Sequence, residues 1–71
     1  MRITETIHHG QYRNTRTADV EPTTEGLRGY LMHSVYPVTV ITDERVAILL
    51  AQLVETGKAD FGWADFEVVS A

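Results

Sequence analysis

Thr42 to Gly57, TDERVAILLAQLVETG, is the stretch that decides the fold. Thr42 suits a helix N-cap, because its hydroxyl can accept from a free backbone N–H of the first turn. Ile41 and Val46 stand at the two positions of a hydrophobic staple. Asp43 and Glu44 place negative charge at the positive end of the helix dipole. Arg45 occupies the position where a capping box would carry Glu, so that reciprocal bond is missing. Gly57 suits the left-handed residue that ends a helix, and Lys58 follows at the negative end. At about 100° per residue, Val46, Leu49, Leu50, Leu53 and Val54 fall on one stripe, with Ala47 at its edge. Glu44, Gln52 and Glu55 fall opposite, and Ile48 stands among them. The spacing predicts one helix, over about 43–56, with an apolar face that needs a sheet to cover.

The rest of the chain supplies strands. In RITETIH, residues 2–8, Ile3 and Ile7 alternate with Thr4 and Thr6, residue types that favour strands. His9 and Gly10 make a turn. QYRNTRTADV, residues 11–20, continues as a polar second strand; a loop is the alternative, because only Tyr12, Ala18 and Val20 are candidates for burial. EPTTEG, residues 21–26, is the clearest break, with Pro22 lacking a donor and Gly26 open to positive φ. In LRGYLMHSVYPVTVI, residues 27–41, Gly29 argues against a helix, and the tyrosines, valines and Ile41 favour a sheet. A strand bent at Pro37, or two short strands with the second at Val38–Ile41, is expected there. A helix over Leu27–Val35 is the alternative. After the helix, a last strand is expected at about Trp63–Val69, with Ala64, Phe66 and Val68 toward one face and Trp63, Asp65 and Glu67 toward the other. The expected class is α+β: a small antiparallel or mixed sheet of three to five strands with one helix on one face. The second face is expected to be polar or covered by a partner.

Length and composition narrow the function. Seventy-one residues make one domain, 1–71, and a chain this short buries only about 60% of its unfolded surface. With no cysteine, neither disulfides nor thiolate-held zinc can stabilise it. The 44% hydrophobic and 23% charged residues are those of a folded globule, not of a disordered chain. No apolar run reaches the 18 or so residues of a membrane span, and MRITETIHHG lacks the apolar core of a signal peptide. A cytoplasmic protein is expected, and Met1 reads as the natural start of a whole gene product. The net charge of −4 is uneven: residues 1–17 carry +2, residues 43–71 carry −4.

No chemical motif stands out. Adjacent His8 and His9 point to opposite faces of a strand, so both rarely hold one ion, and no carboxylate or cysteine stands beside them at ligand spacing. His33 is expected in a strand, partly buried. Asp60-Phe61-Gly62 has the letters of a kinase magnesium motif without the rest of its signature. Gly26 and Gly29 do not form a phosphate loop. No metal, cofactor or catalytic site is expected, since one small sheet with one helix rarely forms a cleft.

What remains is surface. Trp63 and Phe61 with acidic Asp60, Asp65 and Glu67, and Ile48 on the back of the helix, are the candidate partner-binding residues. Tryptophan is enriched at interface hot spots. Arg2, Tyr12, Arg13 and Arg16 are the candidate nucleic-acid contacts, against an acidic pI near 5.1. The expectation is a non-enzymatic module that binds a larger protein or nucleoprotein complex as an inhibitor or regulator. Small phage-encoded blockers of bacterial defence complexes resemble it in size and charge only. The expected mechanism is steric, or mimicry of phosphates by the acidic face. The alternatives are a nucleic-acid-binding accessory protein using the basic N-terminal hairpin, and a structural homodimer subunit.

Overall fold

A computed structural model describes residues 1–9, 11–34, 36–62 and 64–70. Gly10, expected to form a turn with His9, and Trp63 lie outside the described residues, as does the side chain of Tyr12; His9 is not in the turn but ends the first strand. Helix α2 spans Asp43–Thr56, where the sequence places it. The Thr42 hydroxyl accepts from the Arg45 N–H at 3.2 Å, and Gly57 closes the helix at φ 77°. Val46, Leu49 and Leu53 are buried and Leu50 is half-buried. The stripe is narrower than the periodicity suggests. Val54, expected on the stripe, is 66% exposed, and Ala47, expected at its edge, is exposed too.

Strands β1 (Arg2–His9) and β2 (Tyr12–Asp19) form an antiparallel hairpin with His9 paired to Tyr12. Strands β3 (Lys58–Asp60) and β4 (Ala64–Ser70) form a second, and β4 pairs antiparallel with β1. The sheet order is β2-β1-β4-β3. Between Ile3↔Val68 and Arg2↔Ser70, β4 advances two residues for one of β1, so Val69 is the extra residue of a bulge.

The first part of the stretch expected as strand, residues 27–41, is instead helical, in line with the alternative helix over Leu27–Val35, whose last residue lies outside the described residues. Helix α1 runs Thr24–Met32. The Thr23 hydroxyl caps it by accepting from the Gly26 N–H at 3.0 Å, and Leu27 and Leu31, one turn apart, are both buried. A cap and two packed leucines outweigh the helix cost of Gly29, about 1 kcal/mol. Gly26 does not mark the break through positive φ. A Cβ there would stand 2.7 Å from the Glu21 carbonyl oxygen, so the residue is small because the backbone passes close. Val38–Ile41 is not a strand either. Pro37 introduces a single 3-10 turn, Val38–Val40, in which Val38 is 70% exposed. His33, expected partly buried in a strand, is the exposed C-cap of α1.

Both helices lie on one face of the sheet. Leu27, Leu31, Val46, Leu49 and Leu53 pack on Ile3, Ile7, Ala64 and Phe66, with Tyr36 and Phe61 completing the cluster. The Arg45 guanidinium donates to the Phe61 carbonyl at 3.3 Å and lies 4.8 Å from the Phe61 ring, which ties the start of α2 to the β3–β4 turn. Arg28 of α1 pairs with Asp43 of α2. No helix among the described residues is long and apolar enough to cross a membrane.

Candidate interaction surface

The alternation of β1 divides its side chains between two environments. Ile3, Glu5 and Ile7 are buried beneath the helices, and Thr4, Thr6 and His8 look out from the uncovered face. Register carries the division across the sheet. Thr17 and Thr15 stand opposite Thr4 and Thr6 on one side, and Glu67 and Asp65 on the other. The threonine hydroxyls meet in pairs, Thr4 with Thr17 and Thr6 with Thr15, at 3.4 Å. Lys58 faces Glu67, and Asp60 faces Asp65.

Three candidate residues therefore come together. Asp60, Asp65 and Glu67 are exposed neighbours on the open face. Like charges directly opposite on adjacent strands are destabilising, so the Asp60–Asp65 pair opposes folding. Two local bonds reduce that repulsion. The His8 Nε2–H donates to Asp65 Oδ2 at 2.9 Å, and the Gly62 N–H donates to Asp60 Oδ1 at 2.8 Å. A broad depression of about 720 Å³ takes in Thr4, Thr6, Asp65 and Glu67 and reaches Gln52 and Thr56 of α2 around the β3 edge.

The other candidates are placed differently. Phe61, expected at the partner surface, is instead buried: it is 4% exposed, set edge-to-face against Tyr36 at 5.3 Å and Phe66 at 6.2 Å. Ile48 is 50% exposed, but on the outer face of α2, which lies across the sheet from the acids. One flat partner surface cannot touch both. Of the basic candidates, Arg2 is engaged by Asp19, its Nε donating to Oδ1 at 3.0 Å. That bond raises the pKa of Arg2 and lowers that of Asp19. Arg16 is engaged inside the fold, and Arg13 stands exposed opposite His8.

Arg16 leads to a cluster that the sequence reading passed over. Glu5, 0% exposed, sits between Ile3 and Ile7 on the covered face. Its Oε1 accepts from Arg16 Nε at 3.0 Å and from the Tyr30 hydroxyl at 2.6 Å. Its Oε2 accepts from the Tyr36 hydroxyl and, at 3.5 Å, from Ser34. The Arg16 guanidinium also meets Ser34 and lies 5.6 Å from the Tyr30 ring centre. Hydrogen bonding to Glu5 raises the Arg16 pKa, against the opposing effect of burial. Burial first, then the bond to Glu5, pushes the Tyr30 phenol up to about 12 and raises that of Tyr36 as well.

The cluster is structural in character. Both carboxylate oxygens are held by protein donors, and Glu5 has no exposed surface on which to meet a ligand. Among the described residues no three His, Asp or Glu side chains converge as metal ligands would. No family model, curated protein or solved structure matches this chain.

Proposed function

We propose that this chain is a cytoplasmic, non-enzymatic binding module that inhibits or regulates a larger protein or nucleoprotein complex by covering a basic surface on it. The observation that carries this reading is the one-sided sheet. Both helices cover one face, and Asp60, Asp65 and Glu67 gather on the other. Holding Asp60 opposite Asp65 costs stability in the free protein. A lysine or arginine from a partner would relieve that cost on binding, and electrostatic steering would speed the encounter. Trp63, expected on the same side as Asp65 and Glu67 from sequence alternation, lies outside the described residues. The nucleic-acid reading is weaker, because Arg2 and Arg16 are engaged by Asp19 and Glu5.

The experiment is quantitative capture of host proteins on the immobilised chain, compared across three forms. The wild type and Ile48→Glu should retain the same partner, and Asp65→Lys with Glu67→Lys should lose it. Loss with Ile48→Glu and retention with the sheet variant would place binding on the helices and overturn the reading.

A further inference from the structure

We infer that the outer edge of β2 pairs with the same edge of a second copy of this chain, forming a continuous eight-stranded antiparallel sheet. The two edges of the four-stranded sheet are finished differently. Met1 and Val20 exchange both backbone hydrogen bonds, Met1 N to Val20 O at 3.0 Å and Val20 N to Met1 O at 2.8 Å. Antiparallel pairs alternate, so Ala18, Arg16 and Asn14 bond inward to β1. Arg13, Thr15, Thr17 and Asp19 therefore turn their N–H and C=O groups outward.

At the other edge, Phe61 N bonds to Ala64 O and Val68 N to Gly57 O, which turns the polar groups of Lys58 and Asp60 outward. There Thr56 closes the edge. Its hydroxyl accepts from the Lys58 N–H at 3.3 Å and shares its one proton between the Lys58 carbonyl at 2.8 Å and the Gln52 carbonyl at 2.9 Å. The β3 edge is also only three residues long. The β2 edge runs eight residues with no proline or bulge. Long free edges are templates for strand addition, which proteins otherwise block.

Charge selects a second copy as the occupant and antiparallel as the direction. The edge carries Arg13 near one end and, at the other, Asp19, which Arg2 already holds but which stays exposed enough to accept from a second guanidinium. Antiparallel apposition brings each Arg13 toward the Asp19 of the other copy, whereas parallel apposition would set like charges together. The fitting register is centred on Thr15. Thr15 then faces Thr15, and Arg13 faces Thr17 with Asp19 one diagonal step beyond, within reach of a long side chain. Arg16, an inward charge of the kind that guards an edge, is drawn aside by Glu5 and faces the small Asn14. The new sheet ends at both sides in β3, each edge closed by Thr56. Paired residues share a face, so the two acidic surfaces lie on one side.

The chain contains no cysteine, which permits a direct test. Light scattering over a concentration series should give twice the 8.0 kDa chain mass. Thr15→Pro, which deletes an outward donor and leaves the backbone bonds to β1 intact, losing only the exposed hydroxyl contact with Thr6, should return the chain mass. Thr15→Cys should oxidise to a disulfide dimer far faster than Thr39→Cys on the 3-10 turn, because Cα atoms in such a pair stand about 5.5 Å apart, within disulfide range. A chain mass at every concentration overturns the inference. So does a dimer in which Thr15→Cys oxidises no faster than the control. If Thr15→Pro fails to fold by circular dichroism, the cysteine pair still decides.

Discussion

Removing Arg16 should cost this small domain a large part of its stability. Arg16→Met keeps the length of the side chain and deletes the guanidinium that binds Glu5 Oε1 through Nε and Nη2. Glu5 then remains 0% exposed, with only the hydroxyls of Tyr30, Tyr36 and Ser34 as donors. Breaking a fully buried pair from one side costs about 3–5 kcal/mol. Arg16 itself is half-buried and partly screened, which reduces the expectation to about 2–3 kcal/mol. A domain of 71 residues has about 4–10 kcal/mol in total. The assay is urea unfolding at neutral pH followed by circular dichroism. With a slope of about 1 kcal/mol/M, the midpoint should fall by about 2–3 M. Tyr36→Phe should cost about 1–2 kcal/mol by removing one charge-assisted bond. The two changes share one carboxylate, so they should be non-additive by at least about 0.5 kcal/mol. A midpoint for Arg16→Met within experimental error of the wild type would refute the reasoning, and strict additivity would show that the donors do not act through a common Glu5.

Further outcomes follow from single features. Gly29 sits in the helix α1 interior with nothing within 4 Å of an added Cβ, so Gly29→Ala should stabilise by up to about 1 kcal/mol. Gly26→Ala, three residues earlier, should destabilise, because its Cβ would meet the Glu21 carbonyl; thermal melts of the two variants should move in opposite directions. Tyr30 keeps its proton to about pH 12 in the fold, against 10.0 when unperturbed. Folding therefore holds its contribution below pH 10 and loses it as pH rises toward 12, and Tyr30→Phe should flatten that part of a stability–pH curve. Asp65→Asn removes the like-charge opposition to Asp60 together with an exposed bond to His8, and the melting temperature at neutral pH should shift by no more than about 0.5–1 kcal/mol equivalent.

Local agreement explains what could be read in advance. In α2 the cap, the dipole charges, the stripe and the terminal glycine all point the same way, and the helix lies where they place it. Helix α1 has no such agreement. Gly29, Tyr30 and the valines beyond it favour a strand, and the deciding terms, the burial of Leu27 and Leu31, exist only once the sheet is present. The acids of β4 share a face because alternation is a strict rule of two. Phe61 escaped that rule. Asp60 accepts from the Gly62 N–H, and Gly62 takes φ 89°, so the chain turns and folds the ring under Arg45 instead of continuing a strand. A turn at His9 and Gly10 would set Glu5 opposite Asn14, and the observed pairing of His9 with Tyr12 sets it opposite Arg16 instead. Of the Glu5 cluster, only the face that Glu5 shares with Ile3 and Ile7 was legible. Tyr30, Ser34 and Tyr36 were not, because their position depends on the path of α1.

The placement of that cluster bears on how so small a chain can present charge outward. An apolar pair at positions 5 and 16 would often hold such a core as well as an ion pair. It would leave the buried hydroxyl of Tyr36 without an acceptor, at about 1–3 kcal/mol, and the half-buried one of Tyr30 at less. Glu5 satisfies both, and through them joins β1 to α1 and to the segment that leads into α2. It also holds Arg16 against the covered side of β2. The same carboxylate thus fixes the helices on one face and removes a guarding charge from the sheet edge. Loss of Glu5 should therefore do more than lower stability: in Glu5→Met, which leaves no acceptor, the freed Arg16 should swing outward and weaken β2 pairing between copies, while the open-face acids, fixed by β1–β4 register, stay in place.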